Sequence, residues 1–170
     1  MRVAFDDGPD ITTIANLDTL RKYGVHGTFF LVGNRLRGEQ LRTARRIVAE
    51  GHEVGNHTWS HARLTELPSA DVRAEIARAD TEIQSVCGVW PEAFRPPYVA
   101  SDAAVREVAH ELGHTCHERT STGDYAKRTE DIIDVAGEWY DAGESVLYLH
   151  CGVPATVFAL PTILANGWCS

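Results

Sequence analysis

No stretch of this chain approaches the 18 consecutive apolar residues that a membrane-spanning helix needs. Its first residues carry no basic segment leading into an apolar one, as a secretory leader would, so the chain is expected to be a mature form or to stay inside the cell. Basic residues are also scarce. Lys and Arg number 16 against 24 Asp and Glu, a formal net charge of -8, and the arginines are scattered along the chain. A nucleic-acid footprint, which needs a dense positive face, is excluded, and neutral or cationic ligands suit the charge better than polyanions. The four cysteines, Cys87, Cys116, Cys151 and Cys169, form no CxxC pair, which excludes a zinc ribbon. A bridge between Cys151 and Cys169 and a set of free buried thiols both stay open. No repeat, linker or low-complexity tract divides the sequence, and 170 residues suit one domain, 1–170, with one continuous core.

What is present is an alternation of short apolar runs with longer amphipathic ones. Val3-Ala4-Phe5, Gly27 to Gly33, His52 to Asn56, Ala93-Phe94, His114 to Arg119 and Ser145 to His150 read as strands, rich in β-branched and aromatic residues. Between them, Ile11 to Tyr23 places Ile14, Leu17 and Leu20 on one helical face, and Leu41 to Glu50 does the same with Leu41, Ala44, Ile47 and Val48. Further helices are predicted from Ala70 to about Val86 with Ser69 as cap, from Ser101 or Asp102 to Leu112, from Thr129 to Asp141 and from Ala155 to Asn166. Strand and helix in turn indicate βα units around a parallel sheet, too few for a closed eight-fold barrel. Such folds carry their sites at the C-terminal ends of the strands. The polar residues there are Asp6, Asp7, His57, His61, Arg95, Asp124 and His150.

Asp6 and Asp7 end the first strand, just before Gly8-Pro9. Neighbours on a strand point to opposite faces, so the two carboxylates can share a site only where the chain bends, and Gly8 and Pro9 permit a bend. A solvated turn is the alternative. His57 and His61 are four apart; on a helical turn that spacing stacks both imidazoles on one face, able to share one metal ion. Two histidines and one aspartate with open positions suit zinc as a Lewis acid, with the second carboxylate beside it as general base. The same donors also describe a non-haem iron site, but that reading leaves the second aspartate, Arg95 and His150 without roles.

Phe5-Asp6-Asp7-Gly8-Pro9, His57-Thr58-Trp59-Ser60-His61, Arg95-Pro96-Pro97-Tyr98 and Leu147-Tyr148-Leu149-His150 stand in the motif order of a known family. From first strand to last helix the chain resembles the polysaccharide deacetylases of carbohydrate esterase family four, the NodB-homology domain. The resemblance implies an α/β fold, a distorted and incomplete (β/α) barrel. It implies a Zn2+ site, with Co2+ or another divalent transition metal as alternatives, held by Asp7, His57 and His61. Asp6 becomes the base, Arg95 the residue holding its carboxylate, and His150 the general acid. The backbone N–H of Tyr98 is implied in oxyanion stabilisation, and Leu147 in lining the acetyl-methyl pocket.

In the fourth family motif, Ser121-Thr122-Gly123-Asp124-Tyr125 retains Asp124, the carboxylate that orients the acid histidine. Ser121 replaces an aspartate there and Tyr125 a tryptophan, still a flat wall for a sugar. Cys151 stands where an aspartate is common. Trp59 is expected to pack in the core, and His52 and Glu53 to face solvent. The resemblance further implies an acetylated polysaccharide or oligosaccharide substrate, with N-deacetylation of chitin oligosaccharides or peptidoglycan first, acetylxylan esterase activity second and an inactive carbohydrate-binding relative third. A monomer is expected, with no nucleic-acid or membrane partner, in a secreted or cell-envelope location, with the cytoplasm kept as the other option.

Overall fold

A computed structural model describes residues 1–170, and its elements follow the alternation of the sequence. The strands are β1 (Arg2–Gly8), β2 (Gly27–Leu31), β3 (Glu53–Asn56), β4 (Ala93–Phe94), β5 (Thr115–Cys116) and β6 (Val146–His150). The helices are α1 (Ile11–Tyr23), α2 (Gln40–Ala49), α3 (Ser69–Cys87), α4 (Ala103–Glu111), α5 (Thr129–Asp141) and α6 (Pro154–Ala165). All five strand pairings are parallel, in the order β5-β4-β3-β2-β1-β6. The sheet curls into half a barrel and stays open between β5 and β6, as the resemblance implies.

Period-two alternation assigns the two faces of the sheet. Val3 and Phe5, Phe29 and Leu31, Leu147 and Leu149 point outward and join Leu17 and Leu20 of α1, Ala44 and Ile47 of α2 and Leu160 and Ile163 of α6 in the main core. Ala4, Phe30, Ala93, Val146 and Tyr148 form a smaller cluster on the other face. Leu64, Val72, Ile76, Phe94, Val105, Val108 and Ala109 close the end beneath α3 and α4.

Local signals place most boundaries. Asp10 caps α1, its Oδ1 accepting from the Thr12 and Thr13 N–H groups at 3.1 Å each, and Gly24 ends the helix at φ 66°. Asp102 caps α4 by accepting from Val105 N at 2.9 Å.

Three expectations need correction. Ile14 is exposed, because α1 buries Thr13, Asn16, Leu17 and Leu20, and Ile14 lies about 100° round from Thr13. Ser69 is the first residue of α3 and not its cap; Pro68 precedes it. The strand expected from His114 to Arg119 shrinks to Thr115–Cys116, since its partner β4 is only two residues long before Pro96 and Pro97 end it. No helix is long and apolar enough to cross a membrane.

Candidate active site

β1 resolves how adjacent aspartates share one site. Phe5 pairs with Phe29 but Gly8 with Leu31, so β1 spends one extra residue there, a bulge. Asp7 adopts φ 66° within it, which re-aims its side chain, and Asp6 and Asp7 both line one cleft of about 1030 Å³. Asp6 is buried, and Arg95 Nε donates to its Oδ2 at 2.7 Å. Arg95 is itself 1% exposed, lies over the Tyr148 ring at 3.9 Å and donates through Nη1 to His117 O at 3.0 Å. The second carboxylate oxygen, Asp6 Oδ1, is buried without a protein partner.

His57 and His61 reach Asp7 from the loop after β3. Asp7 Oδ1 lies 3.4 Å from His57 Nε2 and 2.9 Å from His61 Nε2. This loop is not the helical turn that the spacing suggested. Thr58 (φ 67°) and His61 (φ 63°) are left-handed, and the His61 N–H donates to Thr58 Oγ1 at 3.0 Å, which brings the ring centroids within 5.0 Å. His57 Nδ1 lies 2.6 Å from the Arg95 carbonyl, which accepts the proton there and leaves the Nε2 lone pair facing Asp7. His61 Nδ1 is 3.2 Å from Tyr98 Oη.

Donor atoms of Asp7, His57 and His61 all lie within 4.8 Å of one another, and Asp7 Oδ1 is buried without a hydrogen bond. An ionised, unsatisfied oxygen converging with two imidazole nitrogens fits a divalent metal ion with open positions.

His150 ends β6, opposite Asp6 in register. Its Nδ1 lies 2.5 Å from Asp124 Oδ1, and its backbone N–H donates to Asp124 Oδ2 at 2.8 Å. Thr156 Oγ1 donates to that same Oδ2, so the fully buried Asp124 is held from both sides. Burial pushes the His150 imidazole down, but the hydrogen bond and charge of Asp124, with Asp6 and Asp7 behind, raise it above its ordinary value. His150 Nε2 is 3.8 Å from Asp6 Oδ2, across the cleft from the histidine pair.

Residues 2–117 match the family model described as Polysaccharide deacetylase. The chain belongs to that family. A chitin deacetylase from Pestalotiopsis sp. is 36% identical over 137 residues, 79% of this chain and 46% of that protein. Peptidoglycan-N-acetylmuramic acid deacetylase PdaC of Bacillus subtilis is 42% identical over 97 residues, 56% of this chain and 21% of that protein. The chain therefore spans less than half the length of either. A family 4 carbohydrate esterase from Streptomyces lividans, solved with acetate, superposes with a TM-score of 0.90 at 29% identity, covering 100% of this chain and 90% of that one. A family pseudoenzyme from Bacillus anthracis also superposes, with a TM-score of 0.87 at 22% identity over 97% of this chain and 59% of its own. The fold is thus compatible with loss of activity, and function must be argued from the side chains.

In this polysaccharide deacetylase domain, Asp6, Asp7, His57, His61, Arg95, Tyr98, Tyr125 and His150 all line the one cleft, and Asp124 stands behind His150. Tyr125 is 70% exposed with its ring edge-on to His150 at 5.4 Å, an accessible wall. Tyr98, at φ 60°, packs edge-on against His61, and its backbone N–H donates to no protein acceptor. Leu147 is a correction. It is fully buried in the main core and pairs with Val3, because alternation turns Leu147 and Leu149 toward the helices and Tyr148 toward the interior. His52 is another. It is buried, its Nδ1 accepting from Gly27 N at 3.1 Å, whereas Glu53 is exposed as expected and accepts from Thr28 Oγ1.

Trp59 packs against Gly33 beneath the Arg78 guanidinium, outside the cleft. All four cysteines are free thiols. Burial pushes the Cys87 and Cys169 thiols up to about 11, and Cys151 higher still. One contributor escaped sequence reasoning. Arg35 donates through Nη1 to the Asp7 carbonyl and lines the cleft. Its position just past the C-terminal end of β2 obeys the same strand-end rule that singled out the others.

Proposed function

We propose that this domain is a zinc-dependent hydrolase that removes acetyl groups from N-acetylated sugar polymers or oligomers of the chitin or peptidoglycan type. One observation carries the reading. Asp6 and His150, each locked by a buried partner of its own, flank the Asp7, His57 and His61 trio within a single cleft. Two nitrogens and one carboxylate oxygen are a donor set that zinc favours, and when bound it supplies Lewis acidity to the acetyl carbonyl and to the attacking water.

The side chains divide the remaining work. Asp6 accepts the water proton at its unpartnered Oδ1, while Arg95 holds the carboxylate in place through Oδ2. The unbonded Tyr98 N–H is available to the oxyanion as the tetrahedral intermediate forms. His150, protonated and oriented by Asp124, gives its Nε2 proton to the departing sugar nitrogen. Tyr98 and Tyr125, both exposed, offer flat walls on which sugar rings can stack. The named activities of the chitin deacetylase and PdaC relatives support an N-acetyl substrate. Such polymers lie outside the cytoplasm, so the reading carries a secreted or cell-envelope location with it.

A bifunctional xylanase/deacetylase of Pseudobutyrivibrio xylanivorans, 29% identical over 95% of this chain and 27% of its own length, supports acetylxylan as the second substrate. Acetate release from chitin oligosaccharides, peptidoglycan and acetylated xylan by the zinc-loaded protein decides between them. Release from an N-acetylated substrate is the expected result. Release from xylan alone reassigns the domain as an esterase, and no release from any of the three by folded, metal-loaded protein overturns the catalytic reading.

A further inference from the structure

Behind the histidine loop lies a polar cluster that the reaction does not use. Asp80, in the middle of α3, is 1% exposed; His114, just before β5, is 6% exposed, with its Nε2 3.1 Å from Asp80 Oδ2. Neither lines the cleft. A carboxylate this deep persists only where it is paired and hydrogen-bonded. The other oxygen, Asp80 Oδ1, accepts from Asn56 Nδ2 at 2.6 Å, and that same Nδ2 donates to Ile76 O at 2.9 Å.

With two acceptors on the α3 side, the Asn56 amide must turn its nitrogen toward them and its oxygen away. Asn56 Oδ1 then accepts the Thr58 N–H at 2.7 Å. Thr58 is β-branched and held at φ 67°, a conformation such residues avoid unless their surroundings impose it. The Thr58 carbonyl also accepts from Gly33 N at 3.0 Å, and its Oγ1 holds the His61 N–H. A continuous chain of contacts thus runs from His114 through Asp80 and Asn56 to the turn between the two histidines.

We propose that Asp80 and His114 are positioning residues for the metal-binding turn: Asp80, held by His114, fixes the orientation of the Asn56 amide and so the left-handed Thr58 that sets His57 and His61 against Asp7. Without the carboxylate, only the Ile76 carbonyl still holds the amide nitrogen, and the amide rotates more readily to present its NH2 to the Thr58 N–H, donor against donor. Thr58 then relaxes toward ordinary backbone angles, and the two imidazoles lose their convergence. The inference rests on reading Asp7, His57 and His61 as a metal site, and its test separates the two.

Zinc affinity is measured by competition with a chromogenic chelator, beside the thermal midpoint of each metal-free protein. Asp80→Ala is expected to weaken zinc binding about ten- to hundredfold. Asp80→Asn, which keeps an acceptor for Asn56, is expected to stay within a few-fold of wild type. His114→Phe keeps a ring between Trp90 and Phe94 but removes the donor to Asp80; it carries the test if Asp80→Ala does not fold, and a several-fold weakening is expected. Ile83→Val, a core change in the same helix, lowers the midpoint with zinc affinity unchanged, and KM of the zinc-saturated Asp80 variants stays near wild type. Wild-type zinc affinity in folded Asp80→Ala or His114→Phe, or an equal loss in Ile83→Val, overturns the positioning role alone. A wild-type protein that binds no zinc overturns the metal-site reading and this inference together.

Discussion

Arg95 makes the base and the metal site depend on one side chain and its own backbone. Its guanidinium holds Asp6 Oδ2, and its carbonyl fixes the ring of His57. A proton acceptor with one oxygen pinned and the other bare has its direction set in advance, so the reaction spends little on orienting it. Asp6→Asn keeps the shape and removes the acceptor. It is expected to lower kcat by about 10²- to 10⁴-fold while zinc affinity stays near wild type, and steady-state kinetics beside a zinc titration check this. Undiminished turnover would remove Asp6 from the base role.

His150 is the complementary case. Its raised value means that the proton it donates is retained to higher pH than an isolated imidazole would allow. The same shift contributes stability that is fully present below the unfolded histidine value of about 6.5 and is lost as pH rises through the folded value. For catalysis, the alkaline limb of kcat/KM follows loss of that proton. Asp124→Asn removes the charge that raises it, so the alkaline limb is expected to move to lower pH on an amide substrate. An unmoved limb in the pH profile would detach Asp124 from the acid.

Elements carry these residues through features small enough to break singly. The bulge in β1 turns two adjacent carboxylates into neighbours in space. β3 approaches its neighbours so closely that Gly55 has no room for a side chain, since a Cβ there would lie 2.5 Å from Phe30 Cδ1 and 3.0 Å from Ala93 O. Gly55→Ala must displace the strand that ends in Asn56 and leads into His57. It is expected to cost about 1–3 kcal/mol, read as a lowered thermal midpoint, together with weaker zinc binding. Helix positions were legible in the sequence, as the bounds of α1 and α5 show. The histidine loop was not, because HxxxH reads the same whether the backbone between is helical or, as at Thr58 and His61, left-handed.

For the whole molecule, of the five non-glycine residues with left-handed φ, Asp7, His61, Tyr98 and Val99 line the cleft and the fifth, Thr58, is buried between His57 and His61 in the histidine loop. Each such residue costs on the order of 1–3 kcal/mol, which the surrounding fold must offset. A metal that binds only the assembled trio adds to that support. Saturating zinc at a hundred times its dissociation constant is expected to stabilise the folded chain by about 2.7 kcal/mol, seen as a raised thermal midpoint that a chelator reverses. Identical midpoints with and without zinc would contradict the assembled site.

Residue types and their order along the chain were enough to foresee parallel βα units and the polar strand ends that come to line the cleft. Such features are local or periodic, and nearest neighbours encode them. Three others needed the folded chain: the face that Leu147 presents, the left-handed turn between the histidines, and the link from His114 through Asp80 to Asn56. Each depends on contacts between segments far apart in sequence, where alternation in a packed sheet and the demand for buried hydrogen bonds override what any short stretch prefers.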